Sequence, residues 1–164
     1  MAKGKKSVDS EHNNERVVTH NRRAKHQYEV LDMLECGLAL VGSEVKSLRN
    51  GKVSIEEAFA RVKDGEVWLY NCDIPEYPQA NRFNHEPKRP RKLLLHRREI
   101  QRFASQASQK GLTLIPLKIY FKRGLAKVLL GLCRGRKEHD KREIIKKEES
   151  RREIRRMVQR YQNR

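Results

Sequence analysis

Two stretches of the chain set cations among planar side chains, the mixture that grips a nucleic acid. Asn21-Arg22-Arg23-Ala24-Lys25-His26-Gln27-Tyr28 supplies Arg and Lys for phosphates, and His26 and Tyr28 for stacking on bases. Tyr77, Arg82, Phe83, His85, Lys88, Arg89, Arg91 and Lys92 repeat the mixture further on. One such stretch alone is more often an ordinary solvated surface. Two of them on a chain of formal net charge +17 point to a polyanionic partner. Aromatics set among cations suit unstacked bases, and no recognition helix stands out, so RNA is expected rather than DNA.

Other chemistries lack their residues. Gly42 and Gly51-Lys52 are wrongly spaced for a phosphate-binding loop, and GxGxxG, GxSxG and HExxH patterns are missing. Glu56-Glu57 reads as a solvated turn. No catalytic residue, metal site or cofactor is expected. Cys36, Cys72 and Cys133 are odd in number and widely spaced, with neither CxxC nor Cys/His ligand spacing. They are expected as small buried hydrophobes in a reducing cytosol. No apolar run approaches the roughly 20 residues of a membrane-spanning helix. Met1 to Lys6 is basic without the apolar core of a signal peptide, so a soluble cytoplasmic protein is expected.

Among 164 residues, 38 are Lys or Arg against 21 acids, and 37% are hydrophobic. That allows one modest core plus tails. Residues 1–28 carry seven cations and three acids, 29–133 eighteen and twelve, and 134–164 thirteen and six. Charge is densest in the tail, while the middle holds almost all the apolar residues. The expected organisation is a flexible arm over 1–20, an RNA-binding core over 21–133 and a basic tail over 134–164.

The core must be built mainly of strands. Apolar stretches from Tyr28 to Val41 flank Glu35-Cys36-Gly37, which reads as two strands meeting at a turn. Ser43 is positioned to cap a short helix, Glu44–Asn50, ending at Gly51. Ala58–Lys63 alternates like a strand and precedes Asp64-Gly65, a strong hairpin signal. A two-residue turn there pairs Lys63 with Glu66, Val62 with Val67, Arg61 with Trp68, Ala60 with Leu69 and Phe59 with Tyr70. One face is apolar; the other carries an ion pair, Arg61 over Trp68 and an aromatic pair. Residues 74–92 contain Pro75, Pro78, Pro87 and Pro90, so a long loop is expected.

Leu93–Leu95 follows as a short strand. Ile100, Phe103, Ala104 and Ala107 then fall at helical spacing over 97–110, with Lys110 in the last turn. Leu112–Phe121 and Leu125–Cys133 alternate as strands joined at Lys122-Arg123-Gly124, with Lys118, Tyr120 and Lys122 on one face. Pro116 must lie at an edge or bulge. About six strands in so short a sheet most easily lose their edges by closing into a small barrel.

From Arg136 onward there is neither Gly nor Pro, only charge with a thin stripe of Ile154, Val158 and Tyr161. Such a stripe is too narrow for a membrane surface. Helix-favouring pairs such as Glu143–Lys147 are opposed by like-charged pairs such as Arg152–Arg156 at the same spacing. The tail is therefore expected to be disordered or helical according to context, disordered in the free protein.

The runs Gly42-Ser43-Glu44-Val45-Lys46-Ser47-Leu48-Arg49, Asn81-Arg82-Phe83-Asn84-His85 and Arg89-Pro90-Arg91-Lys92-Leu93-Leu94-Leu95-His96 closely resemble the SsrA-binding protein family. So do Lys110-Gly111-Leu112-Thr113-Leu114-Ile115-Pro116-Leu117-Lys118-Ile119-Tyr120 and His139-Asp140-Lys141-Arg142. The likeness runs from about Asn21 to Arg142. It implies a mainly β fold, a six-stranded antiparallel OB-like barrel with about three helices around it.

It also implies an RNA adaptor of trans-translation that binds the tRNA-like domain of tmRNA and delivers it to stalled ribosomes. Its partners would be tmRNA and the ribosome, including small-subunit rRNA and the mRNA channel, with the protein a monomer on its RNA. By this resemblance Asn21, Glu35, Leu94 and Lys127 match positions that hold tmRNA, and Arg23, His26 and Tyr28 lie in the same stretch. Gly135, Arg136, Lys137, His139, Asp140, Lys141 and Arg142 match the tail segment that reads the empty decoding centre. Glu35 repels phosphate, so it must accept from a base edge or a 2′-hydroxyl, or position a neighbouring cation. Leu94 reads as a core residue acting through packing. The alternative is another OB-like ribosomal protein or translation factor with no specificity for tmRNA.

Overall fold

Asp64 and Gly65 take positive φ values of 53° and 73°, the backbone that a tight two-residue hairpin turn demands. The strands they join, β3 (Phe59–Lys63) and β4 (Glu66–Tyr70), pair in the register the alternation predicts, from Lys63 opposite Glu66 to Phe59 opposite Tyr70. The Phe59 and Tyr70 rings stack at 5.5 Å. Two side-chain partners differ from expectation. The Arg61 guanidinium lies over Phe59, 5.0 Å from its centroid, rather than over Trp68. Glu66 pairs with Lys92 rather than with Lys63.

The computed structural model describes residues 15–109 and 111–162. Lys110 and most of the expected N-terminal arm lie outside them. The remaining elements are β1 (Glu15–His20), α1 (Arg22–Gln27), β2 (Tyr28–Leu38), α2 (Gly42–Arg49), β5 (Arg91–Leu94), α3 (Arg97–Ala107), β6 (Leu112–Lys122), β7 (Leu125–Gly135) and α4 (Glu138–Gln162). A 3₁₀ turn over Asn81–Phe83 interrupts the proline-rich loop.

All pairings are antiparallel. The strands β6-β3-β4-β5-β2-β7 form a series whose ends also pair, β7 with β6, so six strands close into a ring. The seventh, β1, adds to the edge of β6 inside the segment expected to be a flexible arm. Inside the ring, Cys36, Val67, Leu69, Leu93, Leu114, Ile119, Val128 and Leu130 form one core, sealed by Phe103 of α3. Cys36, Cys72 and Cys133 are all buried and unbridged. Burial pushes the thiols of Cys36 and Cys72 up to about 12 and that of Cys133 to about 11, so they stay protonated.

The turn expected at Glu35-Cys36-Gly37 does not exist: β2 is one continuous strand. Cys36 points into the core, Glu35 outward, and Gly37 sits in the ladder opposite both Lys127 and Leu94. A register shift between Val30 and Asp32 leaves Leu31 as a bulge. The bulge reverses the alternation, putting Tyr28 and Glu35 on the same outer face despite their odd separation. A second shift, between Pro116 and Lys118, gives Pro116 its bulge. Leu117 then leaves the inner face and packs outside with Ala24, Ile115 and Cys133 beneath α1.

Much of the proline loop's charge is spent on the fold. Val41, not Ser43, caps α2, and Glu44 returns to its backbone N–H at 2.9 Å. The buried Glu44 carboxylate also accepts from Arg89 Nε at 2.7 Å and Arg91 Nε at 2.8 Å. Burial alone would raise its pKa, but these donors hold it below the usual carboxylate value. Ser43 Oγ lies 2.9 Å from His85 Nδ1, and His85 Nε2 lies 2.8 Å from the Ile74 carbonyl. Arg89, Arg91 and His85, expected among the RNA-facing cations and rings, are therefore loop clamps. Phosphate would have to displace a buried carboxylate to reach Arg91.

Residues Glu138–Gln162 of the tail form one helix, α4, the helical form of the two expected. Its first turns rest on α1, where Lys141, Ile144 and Glu148 are half-buried and His26 Nε2 lies 3.7 Å from Glu148 Oε2. This docking offsets the nucleation cost that would leave the isolated helix marginal. Beyond it Ile154, Met157, Val158 and Tyr161 are exposed.

Candidate nucleic-acid interface

β2 threads between two grooves on the outside of the ring. Tyr28 opens β2 and Glu35 lies further along it, roughly 20 Å away. Tyr120 of β6, Lys127 of β7, Gly37 of β2 and Leu94 of β5 form a row across four neighbouring strands. Beside that row lies a groove of about 450 Å³, lined by Glu35, Gly37, Leu94, His96, Glu99 and Lys127 among others. Leu94 is 52% exposed. It is an apolar floor open to a ligand, not the core residue its type suggested.

Glu35 is held by three neighbours. The Tyr120 hydroxyl donates to it, Lys122 Nζ lies 3.2 Å from Oε2, and Lys127 Nζ lies 3.7 Å from Oε1. The Tyr120 hydrogen bond, aided by Lys122 and Lys127, outweighs partial desolvation and keeps the carboxyl below its usual pKa. Burial, and then the Glu35 carboxylate, push the Tyr120 phenol up, so it remains a donor. Lys118 Nζ sits 4.3 Å from the centroid of the Tyr120 ring. The carboxylate thus gathers and orients two lysines at the groove edge, a positioning role compatible with a polyanion nearby. Tyr120, Lys118 and Lys122 were visible as one strand face in the sequence; the meeting of Tyr120 and Lys122 with Glu35 was not.

The second groove, also about 450 Å³, is lined by Arg23, Tyr28, Phe59, Arg61, Thr113 and neighbours, with Glu56 on its wall. Arg23 Nε contacts Glu56 at 3.1 Å, both half-open to solvent. Asn21 lies beneath and is only 6% exposed. Its Nδ2 donates to the Ile55 carbonyl at 3.0 Å and the Pro116 carbonyl at 3.1 Å, while Oδ1 accepts from Ala24 N at 3.0 Å. That one side chain caps α1 and satisfies a carbonyl beside the β6 bulge. Both Nδ2 hydrogens and one Oδ1 lone pair are committed to the fold, so Asn21 positions α1. His26 lies apart from this groove, against α4, with its buried Nδ1 lacking a hydrogen-bond partner among the described residues.

The tail begins as part of the ring. Gly135 pairs with Tyr28. Arg136 N donates to Gln27 O at 2.9 Å and its Nε to Tyr28 O at 2.9 Å. Lys137 is exposed, as are Asp140 and Arg142 on the first turns of α4, while Lys141 faces α1. The His139 side chain lies outside the described residues. Acidic Glu138 and Asp140 suit the helix N-terminus. Among the described residues no group of three or more His, Cys, Asp or Glu could hold a metal ion. No described helix is long and apolar enough to cross a membrane.

The chain resembles known proteins over most of its length. It is 54% identical over 140 residues to the SsrA-binding protein of Carboxydothermus hydrogenoformans, covering 85% of this chain and 94% of that one. It is 56% identical over 144 residues to the SsrA-binding protein of Rhodopirellula baltica, covering 87% and 82%. A solved chain described under "tmRNA-SmpB: a journey to the center of the bacterial ribosome" superposes with a TM-score of 0.63 at 52% identity, covering 77% of this chain and 93% of that one. A family model described as SmpB protein matches residues 18–160, and the chain belongs to that family.

Proposed function

We propose that this protein is a non-enzymatic RNA-binding adaptor of trans-translation, which binds tmRNA and brings it to stalled ribosomes. The observation that carries this reading is the convergence of Glu35, Leu94 and Lys127, distant in sequence, on one open groove of the ring. A lysine, an exposed leucine and a carboxylate that steers cations suit a folded RNA, offering phosphate contact, apolar contact and a hydrogen-bond acceptor. Arg23 and Tyr28 extend the surface along the same outer face, so the tRNA-like domain would lie along β2.

The tail would read the ribosome. Residues 135–142 run from the end of β7 into the first turns of a helix of 25 residues, a rod of about 38 Å. Arg136, Lys137, Lys141 and Arg142 would meet rRNA at an empty decoding centre, and the exposed remainder would lie in the vacant mRNA channel. The setting is the bacterial cytoplasm, with one protein per RNA. Sequencing the RNA that co-purifies with the full-length protein tests the reading. Strong enrichment of tmRNA is expected; ribosomal RNA without tmRNA would favour a general ribosomal or translation-factor role instead.

A further inference from the structure

The segment Tyr77–Lys88 belongs to neither groove, yet the fold holds its backbone firmly. Asn84 bridges the main chain of Tyr77 on both sides, accepting from its N–H at 3.0 Å and donating to its carbonyl at 2.7 Å. Ala80 N donates to Tyr77 O at 3.0 Å and Phe83 N to Ala80 O at 3.1 Å, closing the 3₁₀ turn. Asn81, which starts that turn, has φ 49°, a left-handed conformation that asparagine tolerates better than most residues. At the base, Arg91 donates to the Pro87 carbonyl at 2.9 Å, and His85 links α2 to Ile74. Lys46 of α2 lies 5.5 Å from the Tyr77 ring centroid.

Amid these tethers Phe83 is 85% exposed. Arg82 and Lys88 are exposed as well, and no ion pair or hydrogen bond engages either side chain among the described residues. Glu76 and Glu86 are exposed in the same segment, so the local field is only mildly positive. An aromatic ring held out on a pre-ordered turn, with a free guanidinium next to it, loses little conformational freedom on binding a planar partner.

We infer that Phe83 is a second RNA contact, a stacking platform for one unpaired base, with Arg82 and Lys88 meeting the flanking phosphates. The inference rests on the RNA-binding reading above and adds a site remote in sequence from α1, β2 and the tail. The base could belong to tmRNA or to ribosomal RNA; the shared chemistry is a single-stranded nucleotide.

The test uses the full-length protein with Phe83→Ala, Phe83→Leu and Phe83→Tyr, measured against purified tmRNA in one arm and tmRNA-loaded ribosomes in the other. Phe83→Ala should weaken binding about tenfold in one arm, the size expected for losing one stacked base. Phe83→Tyr should bind like the wild type, and Phe83→Leu should not restore affinity. The arm that responds identifies the source of the base. Unchanged affinity of Phe83→Ala in both arms overturns the inference. Full rescue by leucine overturns it too, because an aliphatic side chain cannot stack on a base as a planar ring does. Either result leaves the tmRNA reading standing if Lys127→Ala still weakens tmRNA binding; a wild-type protein that ignores tmRNA would sink both.

Discussion

Gly37 of β2 lies opposite Leu94 of β5, and a Cβ on Gly37 would come within 3.1 Å of the Leu94 Cβ. The absence of a side chain there lets Leu94 form part of the groove floor beside Lys127. Gly37→Ala should therefore shift Leu94 by a few tenths of an ångström. Thermal unfolding should show a stability change within about 1 kcal/mol, since lower unfolded-state entropy offsets the crowding. Binding of tmRNA should nonetheless fall several-fold in a filter assay. Unchanged affinity would mean that the groove floor does not touch RNA.

Lys127 and Leu94 line one groove but should respond differently to salt. Lys127→Ala removes one phosphate contact, lowering the log–log salt slope by about 0.7–0.9. Leu94→Ala removes apolar contact, weakening binding with the slope unchanged. Equal slope changes in the two variants would contradict this assignment.

Asn21→Ala should act on stability before it acts on RNA. It strips the α1 cap and leaves the Ile55 and Pro116 carbonyls without their shared donor. A loss of about 2–4 kcal/mol in urea unfolding is expected. Weakened RNA binding at full stability would return Asn21 to the interface itself.

Acid should weaken the protein through Glu44. Its folded pKa lies below its ordinary value of 4.5, so its contribution is complete above that value and is lost as pH falls through the folded pKa. Glu35 acts in the same direction but more weakly, being partly exposed. Glu44→Gln should cost about 3–5 kcal/mol at neutral pH by leaving Arg91 buried without its counter-charge. It should also flatten the loss of stability below pH 4.5, as followed by circular dichroism.

Removing residues 138–164 spares the β7 ladder and the Arg136 bonds to Gln27 and Tyr28. Affinity for tmRNA should stay within about tenfold, or 1.4 kcal/mol. Tagging of nascent chains on stalled ribosomes should be abolished. Ile154→Pro, in the exposed part of α4, should show the same division. Normal tagging by the truncated protein would end the assignment of ribosome sensing to the tail.

The sequence alone determined what is local or additive. Asp64-Gly65 set the β3–β4 register because a two-residue turn admits one pairing. Charge and interleaved rings indicated RNA because they sum along the chain, and burial of the three cysteines followed from residue type and spacing. The tertiary structure decided what depends on parity and closure. A single bulge at Leu31 chooses which face Tyr28 and Glu35 share, and no periodicity reveals where an extra residue will be inserted. Leu94 is apolar like the core, yet the ring turns it outward opposite Gly37. Asn21 looks like a ligand-binding amide, yet Ile55 and Pro116, brought to it only by the fold, take both of its donor hydrogens. The α4 helix is marginal on its own residues, and only the fold brings α1 against its first turns, where packing adds what a single charged helix lacks.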